Sequence, residues 1–363
     1  MNHKVILLAP TPPPFGGIAI WTTRMLQARM PGGWAIDVVD EKVIGKRAKN
    51  DNFDKKNRRN LFTEIKRCFA IWNRLKKKVR DDDVKVVHSC IASTAFSMMR
   101  EYVCARITKK KRKKFIIHFR CTIPTTIGGV FSKILLKKIC KISDSIIVLN
   151  KKSADYLQSF TETRIELIPN FVSVSEIADH KQINPRLREI VYVGNVIESK
   201  GCLDLIKLAE RFPDIVFKMI GKYNESMFDT LHVPTNVVLT GALDHARVSE
   251  ELDHADVFAF LSFYNGEGFS NALVEAMAKG LPCLVTDWAA NRDMIEDQGG
   301  IVIPIHDLDA AAKGVDALRD ETFRKKASAF NISKVTYEYS EEVILNKYVS
   351  CYERCMGEKH EQV

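Results

Sequence analysis

The chain of 363 residues contains no apolar run near the roughly 20 residues that cross a bilayer, which excludes a transmembrane helix. Residues 1–9 are apolar but too short for the core of a signal peptide, and they stop at Pro10, so no cleaved leader is expected. The nine cysteines are scattered without paired CxxC spacing, and Cys351 and Cys355, one helical turn apart, have no second pair. Neither a disulfide framework nor a zinc site is indicated, and a reducing cytoplasm is the expected compartment. The first strand–loop–helix unit lacks both the GxGxxG fingerprint and the GxxxxGK[ST] loop, and no D-x-D pair stands at a strand end where a diphosphate-bridging metal would be held. The nearest acidic run, Asp81-Asp82-Asp83, precedes its strand as a solvated turn, so no metal is expected.

What is present is charge, unevenly spread. Residues 1–170 carry 35 Lys and Arg against 14 Asp and Glu, a balance of +21, while residues 171–363 carry 20 against 31, a balance of −11. A basic first half implies a polyanion opposite it, either nucleic acid or an anionic membrane surface. The run from Lys109 to Lys114 has a simpler explanation as a solvated turn between helix and strand, and the basic residues lack interleaved aromatics, which argues against nucleic acid.

Strands and helices alternate along the whole chain. Residues 5–9 read as a buried strand, 10–17 as a stiff proline-rich loop ending in Gly16-Gly17, and 18–30 as a helix. Residues 41–59 are polar and read as a mobile surface loop, and 61–78 as an amphipathic basic helix. Strands follow at 84–88 and 115–117, the second with His118-Phe119-Arg120 past its carboxyl end. A lone histidine there is more often structural than catalytic. The helix at 131–142 places Ile134, Leu135, Ile139 and Ile142 on one broad side and Lys133, Lys137 and Lys141 on another. Strands at 145–149 and 164–168 close this half. After a polar connection, residues 189–193, 216–220 and 237–239 read as strands, with a loop at 194–201 and a helix at 202–211. The pattern predicts two doubly wound α/β domains facing each other across a cleft, with boundaries at 1–172 and 173–338 and a C-terminal helix, 339–363, returning to the first domain.

The most informative stretch is Glu267-Gly268-Phe269-Ser270-Asn271-Ala272-Leu273-Val274-Glu275, between an apolar strand at 256–262 and a strand at 281–286. Residues 263–268 form the loop at a strand's carboxyl end, and Ser270 or Asn271 caps the helix that follows, which stops at Gly280. Open parallel sheets bind ligands at such ends. The helix N-terminus favours an anion such as phosphate, and two carboxylates flank it. A sugar nucleotide carries matching groups, hydroxyls at both ends and a diphosphate between. The plainer alternative is that Glu275 pairs with Lys279 and Glu267 is solvated. Lys200-Gly201 offers a second cation at a helix entry, a plausible diphosphate contact.

Together these stretches resemble the family 4 retaining glycosyltransferases (glycosyl transferases group 1), which have the GT-B fold of two Rossmann-like domains. The resemblance rests on the E-x7-E spacing of Glu267 and Glu275, continued by Ala276 to Pro282, Thr286-Asp287 and Gly299-Gly300. Gly16-Gly17, the His118 strand end, Ile168-Pro169-Asn170 and Gly194 through Lys200-Gly201 fall in the family's order. The resemblance implies that Glu267 contacts donor-sugar hydroxyls and Glu275 the nucleotide ribose. Ser270, Asn271 and Ala272 would sit at the helix end near the donor's phosphates, Gly268, Phe269 and Asn195 would also belong to the donor site, and Lys200 would neutralise the leaving diphosphate. Gly16-Gly17 would approach donor and acceptor, and His118 would line the sugar pocket. It further implies a UDP- or GDP-sugar donor, no other cofactor, and a glycan or lipid-linked acceptor in surface-polysaccharide synthesis; the basic balance of the first half adds the expectation of peripheral contact with an anionic membrane at its inner face. One position departs: Asn195 stands where the family usually has an arginine, which weakens the case for full activity and either puts more of the leaving-group charge on Lys200 or calls for a basic residue elsewhere. Rival readings are a GT-B nucleotide-sugar epimerase, a nucleic-acid-binding protein and a non-catalytic family member.

Overall fold

The computed structural model describes residues 3–13, 16–42, 61–227 and 232–357. Apart from Glu41 and Lys42, the stretch read as a surface loop, 41–59, lies outside them. The chain divides into two compact units, one of residues 1–169 with 342–363, the other of residues 170–341.

The first unit holds a parallel sheet of β1 (Lys4–Ala9), β2 (Ala35–Asp40), β3 (Val84–Ile91), β4 (Lys114–Phe119), β5 (Ser145–Val148) and β6 (Ile165–Leu167), in the order β2-β1-β3-β4-β5-β6. Parallel neighbours need crossovers, and these are right-handed. Helix α1 (Gly17–Gln27) carries the chain backward from β1 to β2 and so covers one face. Helices α2 (Leu61–Lys78), α3 (Ala95–Lys110), α4 (Val130–Ile142) and α5 (Lys151–Gln158) carry it forward and cover the other, with α3 packed between α2 and α4.

The strands alternate accordingly. Ile6, Leu8, Val87, Phe115 and Ile117 point into one core with Ile71 and Leu75 of α2, Met98 of α3 and Leu136 and Ile139 of α4. Val5, Val86, His88, Ile116 and His118 have the opposite parity and are also buried. On α4 the buried side is Leu136, Ile139 and Cys140. Ile134, expected on the apolar side with Ile139, is instead 46% exposed, because the buried stripe is centred on Leu136, Ile139 and Cys140.

The second unit repeats the plan with β7 (Glu189–Val193), β8 (Val216–Ile220), β9 (Val237–Gly241), β10 (Val257–Phe260), β11 (Cys283–Thr286) and β12 (Gly300–Ile303), in the order β12-β11-β10-β7-β8-β9. From β7 the chain proceeds outward through α6 (Cys202–Arg211) to β8, and α7 (His245–His254) leads back to β10. From β10 it proceeds the other way through α8 (Asn271–Ala278) to β11. The order therefore reverses between adjacent strands β7 and β10, and right-handed crossovers send α6 and α8 to opposite faces, opening a crevice at the carboxyl ends of those two strands. Helices α9 (Leu308–Ala317) and α10 (Glu321–Lys334) complete the unit. The final helix, α11 (Glu341–Met356), buries Tyr348, Cys351 and Tyr352 in the first unit.

Candidate active site

The crevice between β7 and β10 gathers most of the residues singled out from the sequence. The loop after β7 ends in a single turn, Glu198–Lys200, and Gly201 then adopts a left-handed conformation (φ +77°) that opens α6. Only glycine fits there: a Cβ would lie 2.2 Å from the Leu261 carbonyl oxygen. That close approach lays the loop on the end of β10, and the Phe263 amide donates to the Ser199 carbonyl (2.9 Å). Across it, the Lys200 ammonium donates to the Glu267 carboxylate. The two charges come from the two loops at the switch point, so their pairing follows from topology.

Lys200 is held from the sides as well. Its ammonium lies 5.3 Å from the Phe260 ring centre and 5.0 Å from that of Tyr264, within cation–π range. Trp288 Nε1 donates to the Tyr264 carbonyl (2.8 Å), and Thr286 Oγ1 to the Ser262 carbonyl (2.6 Å), so the end of β11 and the residues just past it brace the loop that carries Glu267. Tyr264, Phe260 and Trp288 were not singled out from the sequence, because ring partners of a lysine have no fixed spacing.

Ser270 caps α8, accepting from the Leu273 amide (3.2 Å), and the first helical bond runs from Val274 to the Ser270 carbonyl. The opening amides and the helix dipole are thus set beside Gly268 and Phe269 and favour an anion. Asn170 fixes this entry: its Nδ2 donates to the Phe269 carbonyl (3.0 Å) and to Asn271 Oδ1 (2.7 Å), while the Phe269 ring packs edge-on against Tyr339. Asn271, Ala272 and Glu275 are half-buried. Lys279 pairs with Asp253 (3.0 Å). Asn195 lies in the loop after β7, its carbonyl accepting from the Tyr192 hydroxyl (2.8 Å).

In the first unit the strand order reverses between β1 and β3, and Gly16 and Gly17 open α1 at the end of β1. Gly16 is extended, and a Cβ there would meet nothing within 4 Å, so neither backbone nor packing demands glycine. The space beside it is open.

His118 requires correction. It was expected past a strand end, lining a pocket, but β4 continues through it, opposite Cys90 of β3, and the ring is fully buried. Its Nε2 lies 3.2 Å from Arg120 Nη1, its Nδ1 3.0 Å from His88 Nε2, and His88 Nδ1 2.7 Å from the Tyr352 hydroxyl. A guanidinium only donates, so His118 accepts at Nε2 and donates from Nδ1 to His88, and His88 donates to Tyr352. Among the described residues, His88, Cys90 and His118 form the cluster with metal-ligand types in reach of one another. The hydrogen bonds already use both rings, and the nearby charge is a guanidinium rather than a carboxylate, which opposes a cation.

Burial, reinforced by Arg120, pushes the His88 pKa down to about 3 and that of His118 well below its ordinary value. Both rings are thus neutral in the fold, while in the unfolded chain they protonate below about pH 6.5. The stability this gives is complete above pH 6.5 and is lost as pH falls toward 3, with a slope of up to about 1.4 kcal/mol per pH unit for each histidine. Urea unfolding at stepped pH should show that slope, and His88→Asn should reduce it. An unchanged slope would contradict the neutral assignment.

Two family models match: "Glycosyltransferase Family 4" over residues 1–176 and "Glycosyl transferases group 1" over residues 173–333. A phosphatidyl-myo-inositol mannosyltransferase of Mycolicibacterium smegmatis is 26% identical over 240 residues, covering 63% of this chain and 62% of that protein, so the match spans under two thirds of it. An alpha-galactosylglucosyldiacylglycerol synthase of Streptococcus pneumoniae is 26% identical over 286 residues, covering 70% of this chain and 74% of that protein. The sucrose-phosphate synthase of Thermosynechococcus elongatus superposes with a TM-score of 0.77 over 98% of this chain and 99% of its own, at 14% identity, a likeness of fold. With two doubly wound units, the paired Lys200 and Glu267 at a switch point and both family models in register, the chain belongs to the family 4 glycosyltransferases of GT-B fold.

Proposed function

We propose that this chain moves a sugar from a UDP- or GDP-sugar to a lipid-linked or glycan acceptor, with retention at the anomeric carbon, in the synthesis of a bacterial surface glycan at the inner membrane face. The observation that carries this reading is the Lys200–Glu267 pair beside the entry of α8. A donor diphosphate seated on the α8 amides draws the Lys200 ammonium onto its oxygens, and the Glu267 carboxylate so released accepts from sugar hydroxyls. The acceptor hydroxyl attacks on the face from which the diphosphate departs. Its bond to the anomeric carbon forms as the carbon–phosphate oxygen bond breaks, and the departing oxygen takes the hydroxyl proton. Glu267 is then engaged by the sugar hydroxyls, and this chemistry needs no carboxylate nucleophile. The lipid acceptor is supported by the names of the mycobacterial and streptococcal relatives. The charge needed at the leaving group comes from Lys200 and the helix terminus, so divalent metal is dispensable.

A thermal-shift panel of nucleotides and sugar nucleotides tests the donor. At a hundredfold excess over Kd the matching donor stabilises the native state by about 2.7 kcal/mol and raises Tm by a few degrees. Glu275→Ala should shrink that rise, and excess chelator should leave both binding and transfer intact. Activity lost to chelator and restored by magnesium or manganese would overturn the metal-independent reading.

A further inference from the structure

We propose that the outer face of the α2-α3-α4 layer docks on an anionic bilayer, dipping the carboxyl edge of the first sheet into the lipid. This deepens the membrane-acceptor reading above and rests on it. On the ridge of α2, Phe62, Ile65 and Phe69 face outward; on α3, Met99; on α4, Val130, Phe131 and Ile134, all between 42% and 76% exposed. All lie in the amino-terminal half of their helices. Further along the same ridges the outward residues become cationic: Lys76 on α2, Arg106 and Lys110 on α3, Lys137 and Lys141 on α4, all exposed. The positions follow the three- and four-residue steps that keep side chains on one helix face.

Three adjacent helices therefore expose apolar side chains in their first halves and cations after them, with Lys66 and Lys133 set among the apolar residues, on faces the core does not use. Crossover helices run antiparallel to their strands, so the apolar ends align along the carboxyl edge, where Gly16 and Gly17 also lie, and the cations line up behind them. Apolar side chains at acyl depth with lysines at phosphate level are the arrangement of an interfacial helix surface. The Lys109 to Lys114 run is at the other end of the layer, and Lys109 and Lys114 are engaged by Asp144. It contributes long-range attraction rather than contact. The cations select an anionic lipid surface over a second copy of this equally basic face.

Flotation of the full chain with phosphatidylglycerol/phosphatidylcholine vesicles tests the proposal. Wild type should bind them and not pure phosphatidylcholine, and part of the binding should survive about 0.5 M salt, where surface charges are screened within a few ångströms. The triple variant F62S/F69S/F131S should lose the salt-resistant part, its partition falling at least about 100-fold. K137E/K141E should lose chiefly the salt-sensitive part. Tyr337→Ser, which removes an aromatic 75% exposed in the second unit, should change nothing. The indole emission of a Phe131→Trp variant should shift to the blue on anionic vesicles and be quenched by brominated lipid, a readout that does not depend on the triple variant folding. Vesicle binding unchanged in the triple variant, no lipid quenching in the Phe131→Trp variant, or a wild-type dimer that the triple variant dissolves would overturn the proposal. Sugar-nucleotide thermal shifts on the same proteins separate the failures. Donor binding without trio-dependent docking removes only the docking surface; trio-dependent docking without donor binding removes the transferase reading.

Discussion

Lys200→Ala should lower turnover by at least about 100-fold, the scale of one lost electrostatic stabiliser in a closed site. The neighbouring geometry adds to that loss. Lys200 is steered by the Phe260 and Tyr264 rings, so no other side chain inherits its place, and its removal strips Glu267 of the cation that now holds it. The remaining carboxylate then faces the donor's diphosphate with the same sign. Glu267→Gln should also abolish most transfer with the fold intact. Because the two residues share one interaction, the double variant Lys200→Met/Glu267→Gln should fall well short of the product of the single losses. Single-turnover rates on purified proteins decide this. Near-normal turnover in Lys200→Ala would place the phosphate cation elsewhere, and Asn195→Arg, which restores a guanidinium in the same loop, would then be the variant to compare.

The second large effect is structural. Gly201→Ala sets a methyl 2.2 Å from the Leu261 carbonyl oxygen at a residue with φ +77°, and the obstacle is backbone at the end of β10. Strain and overpacking together should cost about 2–5 kcal/mol, and any relief moves the Lys200 loop away from Glu267. Denaturant unfolding should show the loss, with activity falling in the part of the population that remains folded. Gly16→Ala is the internal contrast. Its backbone is extended and its surroundings are open, so stability should stay within about 0.5 kcal/mol of wild type. Equal stabilities in the two variants would show that the β7–β10 contact is looser than described.

The elements that build the site were legible because their signals are local. An apolar strand, a loop, a serine cap and a terminal glycine placed α8 within a residue of its observed limits, and β7, α6 and β8 were read to their ends. Strand β2 went unread because it lies at the sheet edge and is only half-buried, which blurs the alternation. Helix α3 went unread because it carries almost no amphipathic contrast: Arg100 and Glu101 lie on its buried side, joined to each other (2.5 Å) and, through Arg100, to Glu41 (2.7 Å). His118 was misplaced for a related reason. A strand that continues into a buried polar chain looks in sequence like one that has ended, and Tyr352, 264 residues from His88, leaves no local trace. The exposed apolar turns of α2 and α4 were hidden by their composition, since a helix with apolar residues on both faces reads as one broad stripe.

The Lys200–Glu267 crevice is proposed to activate a nucleotide-bound sugar. The most direct measurement is transfer of radiolabelled sugar from a UDP- and GDP-sugar panel into bacterial lipid and glycan fractions, by wild type and by Glu267→Gln, with the anomeric configuration of the product read by NMR. One donor should support acceptor-dependent transfer by wild type, the product should keep the donor's configuration, and the variant should be nearly inactive while still folded. Equal transfer by the variant, an inverted product, or label recovered only as free epimerised sugar nucleotide without any acceptor would contradict that proposal.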